Sequence, residues 1–124
     1  MQDPMLNPAI PSPCYVCEET ALEANLQLMQ RVQSESGVEI ILALKGFSMW
    51  STFGLIKQYL QGSTASAVWE ARLGKEEIGK QVHAYSPAFK PNDINELVNL
   101  VNHISFNSLG QWNRYKDQIL QAGV

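Results

Sequence analysis

Val38-Glu39-Ile40-Ile41-Leu42-Ala43-Leu44, followed at once by Lys45-Gly46-Phe47, is the most apolar stretch of the chain and decides its architecture. A strand with one wet face alternates apolar and polar residues. This run is nearly continuous, which suits a parallel strand buried on both faces. Before it, Glu18 to Ser34 places Leu22, Leu26, Met29 and Val32, with Leu28 alongside, at helical spacing among Glu, Gln and Arg. That segment predicts an amphipathic helix ending near Gly37. Further back, Cys14-Tyr15-Val16-Cys17 reads as a short strand. The first thirteen residues hold four prolines, Pro4, Pro8, Pro11 and Pro13, and form a lead-in arm. Each proline removes a backbone donor and pushes the residue before it toward extended geometry.

Beyond Lys45 the alternation repeats. Helices are expected from about Ser51 to Gln61, Ala67 to Ile78, Pro91 to Val101 and Leu109 to Leu120. Strands are expected at Glu39 to Leu44, Ser63 to Ser66, Gln81 to Tyr85 and Asn102 to Phe106. Asn92-Asp93 sits where an N-cap and a negative first turn belong, and Gly62, Gly74 and Gly79 fall near helix ends. A strand about every twenty residues with a helix between predicts right-handed βα units around a parallel sheet. The fold class is α/β, with about four parallel βα units preceded by an N-terminal strand and helix. The four strands are expected in chain order, with helices on one outer face.

With 124 residues, 45% hydrophobic and 17% charged, the chain is one ordinary domain. It can bury a core without disulfide or metal, yet is short for a whole barrel, which takes roughly 250 residues. Nine Lys+Arg against twelve Asp+Glu give a net charge of -3 with no basic cluster, which argues against nucleic acid and anionic membrane as partners. Ile40 to Leu44 is too short to cross a bilayer, and Met1-Gln2-Asp3-Pro4 has neither a basic start nor an apolar stretch. A reduced, cytoplasmic setting is expected.

In parallel α/β folds ligands bind at the carboxyl ends of the strands, where loops and helix N-termini converge. Here those ends are Leu44-Lys45-Gly46-Phe47, Thr64-Ala65-Ser66, Tyr85-Ser86-Pro87-Ala88-Phe89-Lys90 and Phe106-Asn107-Ser108. Lys45 stands out. It follows the most apolar strand and precedes a glycine that admits close approach to the backbone. A partly desolvated lysine amine is a nucleophile toward an aldehyde; at an arbitrary strand end a lysine more often just reaches water. Lys45 is expected to point into the concavity that Ser66, Tyr85 and Asn107 approach. Cys14 and Cys17 spell C-x-x-C, but with no second pair and no helix start they suggest neither a metal site nor a redox pair. His83 and His103 lack a carboxylate at ligand spacing and read as packed or edge histidines. Trp50, Trp69 and Trp112 are expected to pack the helix layer, with Trp50 also close enough to Lys45 to reach the pocket rim. Arg31, Arg72 and Arg114 fit a solvated face.

Taken together, Ala43-Leu44-Lys45-Gly46-Phe47-Ser48-Met49-Trp50, Thr64-Ala65-Ser66 with Glu70-Ala71-Arg72-Leu73-Gly74, His83-Ala84-Tyr85-Ser86-Pro87-Ala88-Phe89-Lys90 and Ile104-Ser105-Phe106-Asn107-Ser108 resemble carboxynorspermidine decarboxylase. The likeness runs from near Ile10-Pro11-Ser12-Pro13 to the end, and covers the first third or so of that family. The resemblance implies a pyridoxal 5'-phosphate enzyme of the alanine-racemase type, a β/α barrel followed by a β-rich domain. Its reaction removes carbon dioxide from carboxynorspermidine or carboxyspermidine. Lys45 matches the lysine that holds the cofactor as a Schiff base, in which cofactor and imine act as an electron sink. The small Ala43, Thr64, Ala65 and Ser66 leave room for a flat ring, and Glu70 opens the next helix on its pocket side. For Thr64 and Ser66 tight strand-to-helix packing is an equal reading.

The family continues with further barrel units, a phosphate-binding region, an acidic partner for the ring nitrogen, and a C-terminal domain that completes the neighbouring subunit's site. Residues 1–13 then form the arm, and residues 14–124 the N-terminal half of the barrel, a partial (β/α) barrel. The resemblance implies a homodimer for the full-length family and a carboxylated polyamine as substrate. The fragment itself is expected to be inactive. A cationic substrate needs carboxylates at the strand ends, and the chain has little there besides Glu70. The alternative is a non-catalytic half-barrel acting as a binding or assembly module.

Overall fold

A computed structural model describes residues 8–124, so Pro4 and the beginning of the arm lie outside the described residues. The elements are α1 (Glu19–Ser36), β1 (Ile41–Ala43), a 3-10 turn (Trp50–Thr52) leading into α2 (Phe53–Tyr59), β2 (Gly62–Ala65) and α3 (Val68–Leu73). After α3 a π-helical turn (Gly74–Ile78) leads to β3 (Gln81–Ser86), α4 (Pro91–Leu97), β4 (His103–Phe106) and α5 (Leu109–Ala122). The strands form one sheet in the order β1-β2-β3-β4, every neighbouring pair parallel. Order, direction and approximate limits agree with the sequence reading.

Strand side chains alternate between faces, and here the alternation divides apolar from polar. Leu42, Ser63 and Val82 share one face with Ala65, Ala84 and Ile104. Helices cover that face. Leu44, Phe53 and Ile56 pack with Leu26 from α1, while Ala65, Val82 and Ala84 pack with Ala71, Ile94 and Leu97. The opposite face carries Ala43, Thr64, His83 and His103 in one row across all four strands. The double-sided burial expected for β1 is therefore not supplied by the described residues: Ile41 and Leu42 are half-buried and Ala43 is exposed.

The entry into β1 is fixed by Gln33, a buried polar residue on α1. Its Nε2 donates to Tyr59 O at 2.9 Å, and its Oε1 accepts from Ile40 N at 2.8 Å. One side chain thus ties α1 to the end of α2 and to the start of β1. Gly37, at φ 73°, turns the chain out of α1 in the left-handed region that glycine enters without strain.

Other expectations are corrected. Cys14 to Cys17 is not a strand: the segment is irregular, with Tyr15 and Val16 exposed and both thiols free. A strand exists through its ladder, and β1 is the sheet's edge, so the N-terminal strand of the expected fold has no pairing partner among the described residues. Gly74 does fall at a helix end, as the C-cap of α3, and the chain continues from it into the π-helical turn. Trp50 and Trp69 do not pack the helix layer, being 67% and 76% exposed, and the Arg72 guanidinium lies over the Trp69 ring. Trp112 does pack, against Phe106. Arg72 also pairs with Glu96 at 3.0 Å.

Two glycines matter by what they exclude. A Cβ on Gly62 would collide with the backbone carbonyl of Gln81, and one on Gly74 with the Ser63 hydroxyl. The Ser63 Oγ is fully buried with no hydrogen-bond partner. Gly62→Ala is expected to destabilise the fold by about 1–3 kcal/mol, because backbone must move to admit the methyl group. Ser63→Ala, which removes an unpaired buried hydroxyl, is expected to be neutral or to stabilise by up to about 1 kcal/mol. Chemical denaturation of both variants checks the pair.

Candidate functional site

Because all four strands are parallel, their carboxyl ends lie on one edge of the sheet, and the strand-end motifs gather there. Lys45 stands on a tight turn at the end of β1. Gly46 N and Phe47 N both donate to Ala43 O, at 3.0 and 3.1 Å, while Leu44 N continues the ladder to Thr64 O at 3.1 Å. The Ser48 hydroxyl donates to Leu44 O. The Leu44 side chain, 1% exposed, anchors the turn in the helix-side core. Lys45, the next residue, is exposed, so the described residues fix its backbone without desolvating its amine.

Ala43 and Thr64 are register partners on the face away from the helices, whereas Ala65, expected beside them, points the other way into the helix-side core and does not contribute room for a ring on this face. Ala43 is exposed and Thr64 half-buried, so among the described residues no bulky side chain covers the sheet beside the lysine turn. An amine on a fixed turn beside a low, open surface fits the attachment end of a flat aldehyde cofactor such as pyridoxal 5'-phosphate. Ser66 is half-buried at the end of β2, and its backbone N donates to Glu70 Oε2. Glu70 is the third residue of α3, so its carboxylate folds back over the helix start and satisfies an amide there. That contact gives Glu70 a structural task at the strand end.

A cavity of about 230 Å³ opens between the starts of α3 and α4, lined by Ser66, Trp69, Ser86, Phe89, Lys90 and Asp93 among others. Lys45 does not line it. On the other face, Tyr85 Oη donates to Asn107 Oδ1 at 3.1 Å. The His83 and His103 rings face each other with centroids 4.4 Å apart and a tilt of 33°. Partial burial lowers the His83 pKa from its ordinary value, the neighbouring His103 lowers it further, and Glu39 opposes both. The sequence reading left these histidines as packed or edge residues. Gln81-Val82-His83-Ala84-Tyr85 carried the signal that sets them together, since polar and aromatic residues alternate there with Val and Ala. Among the described residues no group of three or more His, Cys, Asp or Glu could hold a metal ion. Among the described residues no helix is long and apolar enough to cross a membrane.

No family model matches the chain. It is 44% identical over 124 residues to a carboxyaminopropylagmatine decarboxylase of Synechocystis sp., covering all of this chain and 32% of that protein. It is 41% identical over 109 residues to a carboxynorspermidine/carboxyspermidine decarboxylase of Campylobacter jejuni, covering 88% of this chain and 28% of that one. A similar match, 42% identical over 106 residues, is found in Herminiimonas arsenicoxydans. A crystal structure of carboxynorspermidine decarboxylase complexed with norspermidine from Campylobacter jejuni superposes with a TM-score of 0.87 at 40% identity, over 90% of this chain and 30% of that one. The chain thus spans about a third of the length of the curated relatives it matches.

Glu70→Ala is expected to cost about 1 kcal/mol of stability by leaving the Ser66 amide and the start of α3 uncapped. Glu70→Gln, which keeps an acceptor, is expected to recover most of that in thermal or chemical unfolding.

Proposed function

We propose that this chain, which belongs to the carboxynorspermidine/carboxyspermidine decarboxylase family by homology to its N-terminal part, carries the cofactor-holding lysine of a pyridoxal 5'-phosphate decarboxylase acting on a carboxylated polyamine. One observation carries the reading: Lys45 sits on a backbone-fixed turn at the carboxyl end of β1, beside the open Ala43–Thr64 surface. When bound, the cofactor supplies an electron sink for the carbanion left as the substrate carboxylate departs. Lys45 would hold it through Nζ. Ala43 and Thr64 would leave room for its ring, and the Ser66 hydroxyl would stand at its border. Glu70 contributes by keeping the Ser66 amide satisfied and the strand end in place. In this reading residues 14–124 are the first half of a (β/α)8 barrel behind an arm of residues 1–13. The parent enzyme is a cytoplasmic homodimer of polyamine biosynthesis that turns carboxynorspermidine or carboxyspermidine into norspermidine or spermidine.

A second reading is favoured by the sheet's two outer edges, since among the described residues β1 and β4 each pair with a single strand. It makes the chain a non-catalytic half-barrel that assembles with a complementary half through those edges.

Treatment with pyridoxal 5'-phosphate and borohydride, followed by peptide mass spectrometry, is expected to label Lys45 in the native protein and not in Lys45→Ala. Carbon dioxide release from carboxynorspermidine and from carboxyaminopropylagmatine is expected to be absent with this chain alone. It is expected in a full-length protein carrying this sequence, and Lys45→Ala should bring it to background there. Lack of labelling at Lys45 would sink the decarboxylase reading and favour the assembly module.

A further inference from the structure

A lysine that joins an aldehyde does so from the far end of a long side chain, so the direction in which that chain leaves the backbone matters. Two peptide planes meet at the Lys45 Cα, and each is tied. The plane before it carries Leu44 O, which accepts from the Ser48 hydroxyl. The plane after it carries Gly46 N, which donates to Ala43 O at 3.0 Å. The first tie restrains φ of Lys45 and the second restrains ψ. One of them is backbone to backbone; the other depends on the Ser48 side chain.

Ser48 itself stands on a fixed base. Phe47, one residue before, packs against the core of Leu26, Leu44, Phe53 and Ile56. Met49, one residue after, accepts through its carbonyl from Thr52 N at 3.0 Å and from Thr52 Oγ1 at 2.8 Å. The other strand ends are held in the same manner. After β2 the Glu70 carboxylate takes the Ser66 amide. After β3 the Gln111 side chain accepts from Phe89 N at 3.1 Å and donates to Pro87 O at 2.7 Å. After β4 the Ser108 hydroxyl accepts from Gln111 N at 3.3 Å. After β1 the tied carbonyl adjoins the residue that bears the amine.

In the joining step Nζ, as the free amine, bonds to the aldehyde carbon, and the aldehyde oxygen leaves as water with the two amine protons. A side chain that can leave its backbone in several directions offers its amine to that carbon for only part of the time. Restricting it raises the rate of joining without changing how well the aldehyde is first held. Resting on the decarboxylase reading, we infer that Ser48 is a positioning residue for Lys45. By holding Leu44 O, its hydroxyl sets the direction from which the Lys45 amine reaches the aldehyde of the cofactor.

The test follows pyridoxal 5'-phosphate joining the cofactor-free full-length protein that carries this sequence, by stopped-flow absorbance. Borohydride labelling and peptide mass spectrometry locate the bond. The native protein is expected to label at Lys45, at a rate that saturates with cofactor. Ser48→Ala is expected to lower the saturating rate by roughly fivefold, the worth of one neutral hydrogen bond, and to leave the half-saturating concentration unchanged. Ser48→Thr, which keeps the hydroxyl, should restore the native rate. Amide hydrogen exchange gives a readout free of cofactor: Gly46 and Phe47 should exchange faster in Ser48→Ala, with the core amides unchanged, and at the native rate in Ser48→Thr. An unchanged saturating rate in Ser48→Ala, a loss that Ser48→Thr does not restore, or a loss shared by the half-saturating concentration and the core amides would overturn the positioning role. Labelled Lys45 with a native rate in Ser48→Ala removes the role of Ser48 and keeps the decarboxylase, whereas native protein that does not label at Lys45 removes the decarboxylase reading itself.

Discussion

Everything in this domain depends on the two-residue alternation of a parallel ladder whose faces differ in chemistry. Leu42, Ser63, Val82, Ala65 and Ala84 are drawn under the helices because that face can exclude water. The same register then places Ala43, Thr64, His83 and His103 on the other face with no freedom of choice. A slip of one residue would bury the histidines and expose the core, so the packing of the helix layer and the geometry of the polar face are one constraint.

That constraint explains why so much of the fold was legible in the chain. The strand order follows from strands separated by helices of similar length, and the handedness of the crossovers leaves few other topologies. Residues whose environment lies outside their own segment were harder. Tyr15 and Val16 have strand propensity, but a strand also requires a partner, and the local sequence does not contain one. Trp50 and Trp69 are core formers by composition, yet their helical positions turn them away from the sheet. The apolar run at β1 suggested burial on both faces, whereas the described residues cover only the side of Leu42 and Leu44.

The site was legible in the same uneven way. Lys45 stands out in the sequence because a lysine after an apolar strand is chemically out of place, and what the structure adds is the backbone-fixed turn that carries it. Glu70 was harder. Its position at the start of a helix fits a pocket residue and a capping residue equally, and only the hydrogen bond from Ser66 N separates the two roles. His83 and His103 lie twenty positions apart in sequence, so the local alternation marks the face of His83 but its contact with His103 follows from the register of β3 on β4.

Under the proposed reading the polar face is graded rather than uniform. On the β1 and β2 side it presents Ala43 and Thr64, small residues beside an amine. On the β3 and β4 side it presents imidazoles, a phenol and an amide. The flat group proposed for Lys45 needs contact without steric obstruction, which the small side chains of β1 and β2 allow and the paired imidazoles of β3 and β4 do not. The register that builds the helix-side core therefore also decides which end of this face a planar group can lie on.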